Sequence, residues 1–213
     1  VSNVIPHWNN VDVLSECLES ISNTDFENFE TIVVDNASTD NSVASVRSNY
    51  PNVKLIENDK NYGYAGGCNI GAEAASGDFL IFLNNDTVQE KDWISNLIKT
   101  INSDDKIAAV QPKILNYYDR NVFDYAGGSG GHMDIYCFPF ARGRIFSFQE
   151  NDAGQYNNKE KCFWSSGTCF MVRRELFQKA GGFDENFFAH WKRLTCAGDY
   201  MQWASRFGLN PIQ

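Results

Sequence analysis

Apolar positions in the first half of the chain change period in a regular way. Val1–Pro6 is an apolar run of strand type that the chain enters at its first residue, as though the true start lies upstream. Val13, Leu14, Cys17, Leu18 and Ile21 then recur at helical spacing, which predicts a helix over Val11–Ile21. Phe29–Val34 (FETIVV) has the continuous apolar character of a buried strand and ends at Asp35. Ser38, Thr39 and Asp40 are helix-capping residue types ahead of a helix near Asn41–Ser48. Val53–Glu57 reads as a strand and the small-residue stretch Ala65–Ala75 as a helix opened by glycines. Phe79–Leu83 (FLIFL) reads as a deeply buried strand that runs into Asn84-Asn85-Asp86. Asp92–Ile101 sets Trp93, Ile94, Leu97, Ile98 and Ile101 on one helical side, and Ile107–Leu115 reads as a further strand.

Strands separated by single helices predict right-handed β-α-β units, hence an α/β fold with a mainly parallel central sheet flanked by helices. Ligands of such sheets sit beyond the carboxyl ends of the strands. Asp35 and the Asn84–Asp86 run both fall at such ends, so the architecture aims them at one crevice. Beyond Leu115 the pattern changes. Residues 116–160 are rich in Gly, Asn, Tyr and Phe without a clear period, and read as irregular loops or short antiparallel strands. Cys162–Arg173 reads as a strand interrupted at Gly167, followed by a short helix over Arg174–Ala180 that Gly181-Gly182 stops. The aromatic run of Phe138, Phe140, Phe146 and Phe148 is expected in the core.

With 213 residues the chain suffices for one domain with a full core. The formal charge of −9 argues against nucleic-acid binding, which needs a basic face. It does not exclude small anionic ligands, because a bound cation inverts the local field. None of the six cysteines forms a C-x-x-C pair, so a zinc knuckle is not expected and scattered reduced thiols are. His7, His132 and His190 lack metal-ligand spacing, and surface or core roles are expected for the first two.

Three segments carry candidate chemistry. Asn84-Asn85-Asp86 offers a carboxyl group with neighbouring amide oxygens, a donor set suited to Mg²⁺ or Mn²⁺ that keeps positions open for phosphate oxygens; a strand-to-turn transition favours the same residue types. Asp35, in Val33–Asp40 (VVDNASTD), is placed to accept hydrogen bonds from a base or ribose, and a turn or helix cap would also account for the segment. Asn61–Asn69 (NYGYAGGCN) is neither a dinucleotide fingerprint nor a P-loop. Its glycines permit close backbone approach, and the helix start suits an anion; a tight turn needs glycine as well.

In order, these segments resemble glycosyltransferase family 2, especially its bacterial rhamnosyltransferase-like branch. The resemblance rests on Val33–Ser42 (VVDNASTDNS), Asn61–Asn69, Phe82–Thr87 (FLNNDT), Ser166–Glu175 (SGTCFMVRRE) and Phe183–Phe188 (FDENFF), and covers about Val1–Trp191. It implies a glycosyltransferase A fold with a nucleotide-sugar-binding half over 1–115 and an acceptor-side half over 116–191. It assigns Asp35, Asn61, Asn69 and Asn85 to the nucleotide, with Asp35 at the uracil or thymine nucleoside. Asp86 and Asn84 correspond to the metal motif, Asn84 being a neutral and weaker ligand than the acid usual there. Trp164, Gly167 and Asp184 match the acceptor side. The implied reaction is an inverting transfer of sugar from a dTDP- or UDP-sugar to a hydroxyl of a glycan or lipid-linked acceptor in surface polysaccharide synthesis. A cytoplasmic location is implied, compatible with peripheral association at the inner face of the membrane.

The pattern breaks after Trp191. The family continues with an acidic pair, which supplies the general base, and a D-L-C-W-R-like helix. This chain reads Lys192-Arg193-Leu194-Thr195-Cys196-Ala197-Gly198-Asp199 and stops at Gln213, short of the family's usual length. From Lys192, the third base of each codon joined to the first two of the next permits E-I-D-L-C-W-R-L-Y-A-V-G-F. In that reading Asp199-Tyr200 must give Leu, Met201-Gln202 Ala and Trp203-Ala204 Gly, while other steps use free third bases. The hypothesis is that residues from Arg193 onward are translated out of frame; codons incompatible with that string in the gene would end it. The base is then missing from the chain, with Asp199 the nearby acid left to substitute, and the tail is expected to pack poorly. Two other functions stand beside sugar transfer: nucleotide-sugar binding without turnover, and nucleotidyl transfer. The latter usually carries a glycine- and basic-rich start that Val1–Asn10 lacks.

Overall fold

The computed structural model describes residues 1–125 and 128–186. Its first half alternates as the periodicity predicts: β1 (Ser2–His7), α1 (Val11–Ser22), β2 (Glu30–Asp35), α2 (Ser42–Asn49), β3 (Lys54–Glu57), α3 (Gly63–Glu73), β4 (Phe79–Leu83) and α4 (Trp93–Ile101). The first half closes with β5 (Ala109–Val110), and the second contributes the hairpin of β6 (Gly131–Met133) with β7 (Pro139–Ala141), the hairpin of β8 (Arg144–Ile145) with β9 (Phe148–Gln149), then β10 (Cys169–Arg173) and α5 (Arg174–Lys179). The main sheet has the order β3-β2-β1-β4-β10-β5. Its first four strands are parallel, and β10 runs antiparallel to both neighbours.

Side chains alternate across this sheet, as the period of two requires. Ile5, Val33, Ile81 and Leu83 meet Leu14, Leu18, Ile94 and Leu97 on the face covered by α1 and α4. Val4, Ile32, Val34, Leu80 and Phe82 meet Ala65, Cys68, Ala72 and Phe177 on the opposite face. Burial on both faces is why β4 and residues 32–34 of β2 read as unbroken apolar runs, while β1 sets buried Ser2, Asn3 and His7 around its apolar centre. The small residues of α3 let it lie close to the sheet. A Cβ on Gly71 would fall 2.3 Å from Val4 Cγ1 and 3.1 Å from Val34 Cγ2.

Three expectations are corrected. The strand expected over Ile107–Leu115 is reduced to Ala109–Val110. Pro112 has no N–H to donate, and Ile114 leaves the sheet to pair with Asp124 (3.0 Å) and Gly128 (2.7 Å). The strand expected over Cys162–Arg173 begins at Cys169. Ahead of it Ser166 Oγ accepts from the Thr168 amide (3.2 Å), which turns the chain, and Trp164 bridges to Gly131 instead. The aromatic run is not core: Phe138 and Phe146 are 69% and 89% exposed, on the two hairpins. Their high exposure follows from hairpins that pair with themselves rather than join the sheet.

Candidate active site

Parallel pairing brings the carboxyl ends of β1, β2 and β4 to one edge. His7 stands in register with Asp35, and Asp35 with Glu57. Beyond β4 the Asn84 amide donates to the Thr168 carbonyl at 2.9 Å, so the second half of the chain fixes where Asn84–Asp86 begins.

Asp35 is only 3% exposed. Its Oδ2 accepts from the Ser38 amide at 2.9 Å, while its Oδ1 is buried without a hydrogen-bond partner. A buried, unpaired carboxyl oxygen is costly, and such atoms concentrate where function needs them. The next residue, Asn36, is buried and joins two elements. Asn36 Nδ2 donates to the Gly63 carbonyl (3.0 Å) and its Oδ1 accepts from Asn58 Nδ2 (2.9 Å), tying the turn after β2 to the start of α3. Gly63 has φ of 71°, which suits glycine, and a Cβ on Gly67 would stand 2.9 Å from Pro6 Cβ. The helix therefore meets the strand ends at backbone distance.

His7 is 2% exposed, yet makes two side-chain hydrogen bonds: Nε2 with Ser42 Oγ (2.8 Å) and Nδ1 with Asn85 Nδ2 (2.9 Å). Burial holds it below the usual histidine range, against the pull of Asp35 and Asp40. The Asn84–Asp86 loop is further held by Thr87 Oγ1, which donates to the Asn84 carbonyl at 2.7 Å. Beneath the loop Cys17 Sγ lies 3.9 Å from the same carbonyl, and burial pushes its thiol up to about 12. Asp86 itself is exposed. A cavity of about 810 Å³ opens from Asn84 and Asp86 and runs under α4 to Tyr117, Tyr156 and Asn158.

The donor set can be tested against a divalent ion. Among the described residues no group of three or more His, Cys, Asp and Glu side chains could hold a metal. One exposed carboxyl group flanked by amide oxygens fits a hard ion that takes most of its ligands from phosphate and water. It does not fit a resident structural metal.

The remaining expected residues are placed as follows. Asn61 Oδ1 accepts from the Gly63 amide at 2.8 Å and so shapes the turn into α3. Asn69 bonds both the amide and the carbonyl of Phe183 (2.9 Å each) and Glu185 (2.8 Å), so its hydrogen bonds pin the 183–185 segment to α3. Trp164 is buried with Nε1 on the His132 carbonyl (3.0 Å), and the Gly167 carbonyl accepts from Tyr64 Oη (2.7 Å). Asp184 accepts from Asn186 within its own turn. Asp199, His190 and the segment proposed to be out of frame lie outside the described residues. Sequence reasoning gave His7 no site role. One signal was present: the histidine closes an apolar strand just as Asp35 does.

The strand order and the two strand-end loops define a domain of glycosyltransferase A type. A mannosyltransferase from Pyrobaculum calidifontis, solved with GDP-Man and Mn²⁺, matches with a TM-score of 0.67 at 19% identity, covering 99% of this chain and 53% of its own. GalNAc-T7, solved with UDP, GalNAc and Mn²⁺, matches with a TM-score of 0.74 at 17% identity, covering 99% of this chain and 41% of its own. At these identities the likeness is one of fold. The Glycosyl transferase family 2 profile matches residues 2–181, and the chain belongs to that family. The O-antigen biosynthesis protein RfbC of Myxococcus xanthus is 29% identical over 196 residues, 88% of this chain but 15% of that protein. The N-acetylglucosaminyl-diphospho-decaprenol L-rhamnosyltransferase of Mycobacterium tuberculosis is 26% identical over 192 residues, 83% of this chain and 62% of that protein. The chain spans less than two thirds of the length of either relative. No helix among the described residues is long and apolar enough to cross a membrane.

Proposed function

We propose that this chain binds the donor for an inverting glycosyltransferase, which moves a sugar from a dTDP- or UDP-sugar to a hydroxyl of a glycan or lipid-linked acceptor. The observation that carries the reading is Asp35: a buried carboxyl oxygen without a partner, at the strand edge where this fold type takes its ligand. It is placed to accept from the base or pentose of the nucleotide. Asn85 offers amide hydrogen bonds beside it. Asp86, with Asn84 as a weaker neighbour, would hold a Mg²⁺ or Mn²⁺ ion, which supplies charge neutralisation for the departing diphosphate when bound. The glycine-rich start of α3 packs against the strand ends, Gly67 against Pro6 and Asn36, and so borders the proposed donor site. The cavity that opens from Asp86 is lined by Asn96, Asn116, Asn158 and Gln89 together with Tyr117 and Tyr156. Amides and aromatic faces suit sugar hydroxyls and rings, which supports an acceptor glycan on that side.

Binding without turnover is a second reading, favoured by the absence of an acid between Trp191 and Asp199. Calorimetry with dTDP-rhamnose, UDP-glucose, UDP-galactose and GDP-mannose, each with Mn²⁺, tests the donor. Asp86→Ala is expected to remove the Mn²⁺-dependent part of the affinity; unchanged binding in both Asp35→Ala and Asp86→Ala overturns the site. Donor hydrolysis with Mn²⁺ separates turnover from binding alone.

A further inference from the structure

We propose that His7 is a positioning residue of the donor site: through the chain Asp40–Ser42–His7–Asn85 it decides which end of the Asn85 amide is offered to the nucleotide. The inference rests on the donor reading above and adds a residue to it.

The direction of each hydrogen bond follows from the one before. Asp40 Oδ2 accepts from the Val11 amide at 3.0 Å, and Oδ1 accepts from the Ser42 amide at 3.0 Å and from Ser42 Oγ at 2.5 Å. The single hydroxyl hydrogen of Ser42 is thereby used. Its Oγ can only accept from His7 Nε2, 2.8 Å away, so that nitrogen carries the ring's hydrogen. In a neutral imidazole Nδ1 is then the lone-pair nitrogen. The Asn85 group 2.9 Å from it must be the NH₂ end, which donates. The amide's Oδ1 is left turned away from the ring, and no described residue donates to it. Ser42, like His7, is almost fully buried, so water does not compete for the inner links.

The consequence is chemical selectivity. With the NH₂ end held by His7, the loop between Asn84 and Asp86 presents an acceptor oxygen, which suits a pentose hydroxyl. With the amide reversed it would present a donor instead. The chain also spans the site. It joins the turn after β2, where Asp35 sits, to the loop after β4, so the two contact regions for the nucleotide keep one relative orientation.

Two substitutions at His7 separate positioning from packing. In His7→Asn the side-chain oxygen can take the place of Nδ1 and still accept from Asn85, while contact with Ser42 is lost. In His7→Gln the amide reaches Ser42 but leaves Asn85 without its acceptor. Calorimetry of UDP and dTDP with Mn²⁺ is expected to give His7→Asn within about twofold of the parent, and His7→Gln weaker by about threefold to tenfold, the value of one oriented hydrogen bond. Asn85→Ala is expected to weaken binding by a similar factor, and His7→Gln combined with Asn85→Ala no further than either alone. Asn85 lies on a partly exposed loop, so that variant tests the idea even if a His7 variant misfolds. Equal affinity of His7→Gln and parent, or full additivity in the double variant, overturns the proposal. Unchanged binding in Asp35→Ala and Asp86→Ala shows instead that the donor site is elsewhere, and the proposal falls with it.

Discussion

Replacement of Asp35 by alanine should uncouple stability from ligand binding. The side chain makes one hydrogen bond within the protein, from the Ser38 amide at 2.9 Å, and loss of it costs about 1.5–3 kcal/mol, the range for a carboxyl acceptor. Its other oxygen is buried with no partner, an arrangement that costs the folded protein about 1–3 kcal/mol and that alanine relieves. The net effect lies between about 2 kcal/mol destabilising and about 1.5 kcal/mol stabilising, so Tm falls by no more than about 8 °C in a chain of this size. Nucleotide affinity behaves differently. A hydrogen bond to a carboxyl acceptor contributes about 1.5–3 kcal/mol, so UDP or dTDP binding with Mn²⁺ weakens by about tenfold to a hundredfold. Thermal unfolding and calorimetry on the same preparation measure both quantities. Asp35→Asn, which keeps the shape and an acceptor for Ser38, should share the affinity loss. A destabilisation beyond about 3 kcal/mol with unchanged nucleotide affinity would refute the reasoning, because it would make Asp35 a structural residue that the ligand never meets.

Further predictions concern the scaffold around the site. Gly71→Ala puts a methyl group 2.3 Å from Val4 Cγ1 and should cost about 1–3 kcal/mol in urea unfolding; adding Val4→Ala should cost less than the two changes summed, and simple additivity would argue against the contact. Burial alone would raise the Glu30 carboxyl, but hydrogen bonds from Ser2 and Ser76, with Lys54 nearby, bring it down from 4.5 to about 2. Its folded value lies below its unfolded one, so its contribution is full above about pH 4.5 and is lost as pH falls toward 2. Because the carboxyl is partly in solvent, that contribution is about 1–2 kcal/mol; Glu30→Gln should be less stable than the parent at pH 7 and equal to it near pH 2, and a gap that stays constant on acidification would count against it. Among the described cysteines Cys137 is exposed while burial pushes Cys17 up to about 12, so iodoacetamide at pH 8 should label Cys137 and spare Cys17 in the native protein. Peptide mass spectrometry reads the outcome, and equal labelling of the two would contradict the packing beneath Asn84.

How much was legible in the sequence follows from how far apart the interacting residues are. Phe79–Leu83 is read to the residue, because a strand buried on both faces declares itself in five consecutive apolar positions. Asp35 and Asp86 were located without any contact information, since parallel topology alone sends strand ends to one edge. His7 escaped because its partners, Ser42 and Asn85, lie 35 and 78 positions away, and nothing local distinguishes a buried histidine with two directed bonds from an inert one. The hydrogen bonds of Asn69 were hidden for the same reason: its partners at Phe183 are 114 positions distant. The exposure of Phe138 and Phe146 was hidden because aromatic content measures apolar area, not whether an element pairs with the sheet or with itself.

The position of β10 bears on how such enzymes can be recombined. Its five residues come from the second half of the chain yet lie between β4 and β5, both from the first. A chimaera that joins one family member's first 115 residues to another's remainder would therefore cut through shared hydrogen-bond ladders on both sides of β10. It would also replace the partner that sets the Asn84 amide. Grafting between relatives should succeed for the hairpins and loops between β5 and β10, with Met171, Val172 and their neighbours left in the recipient. The sheet makes the two halves one unit of inheritance, and the loops that leave it are the exchangeable parts.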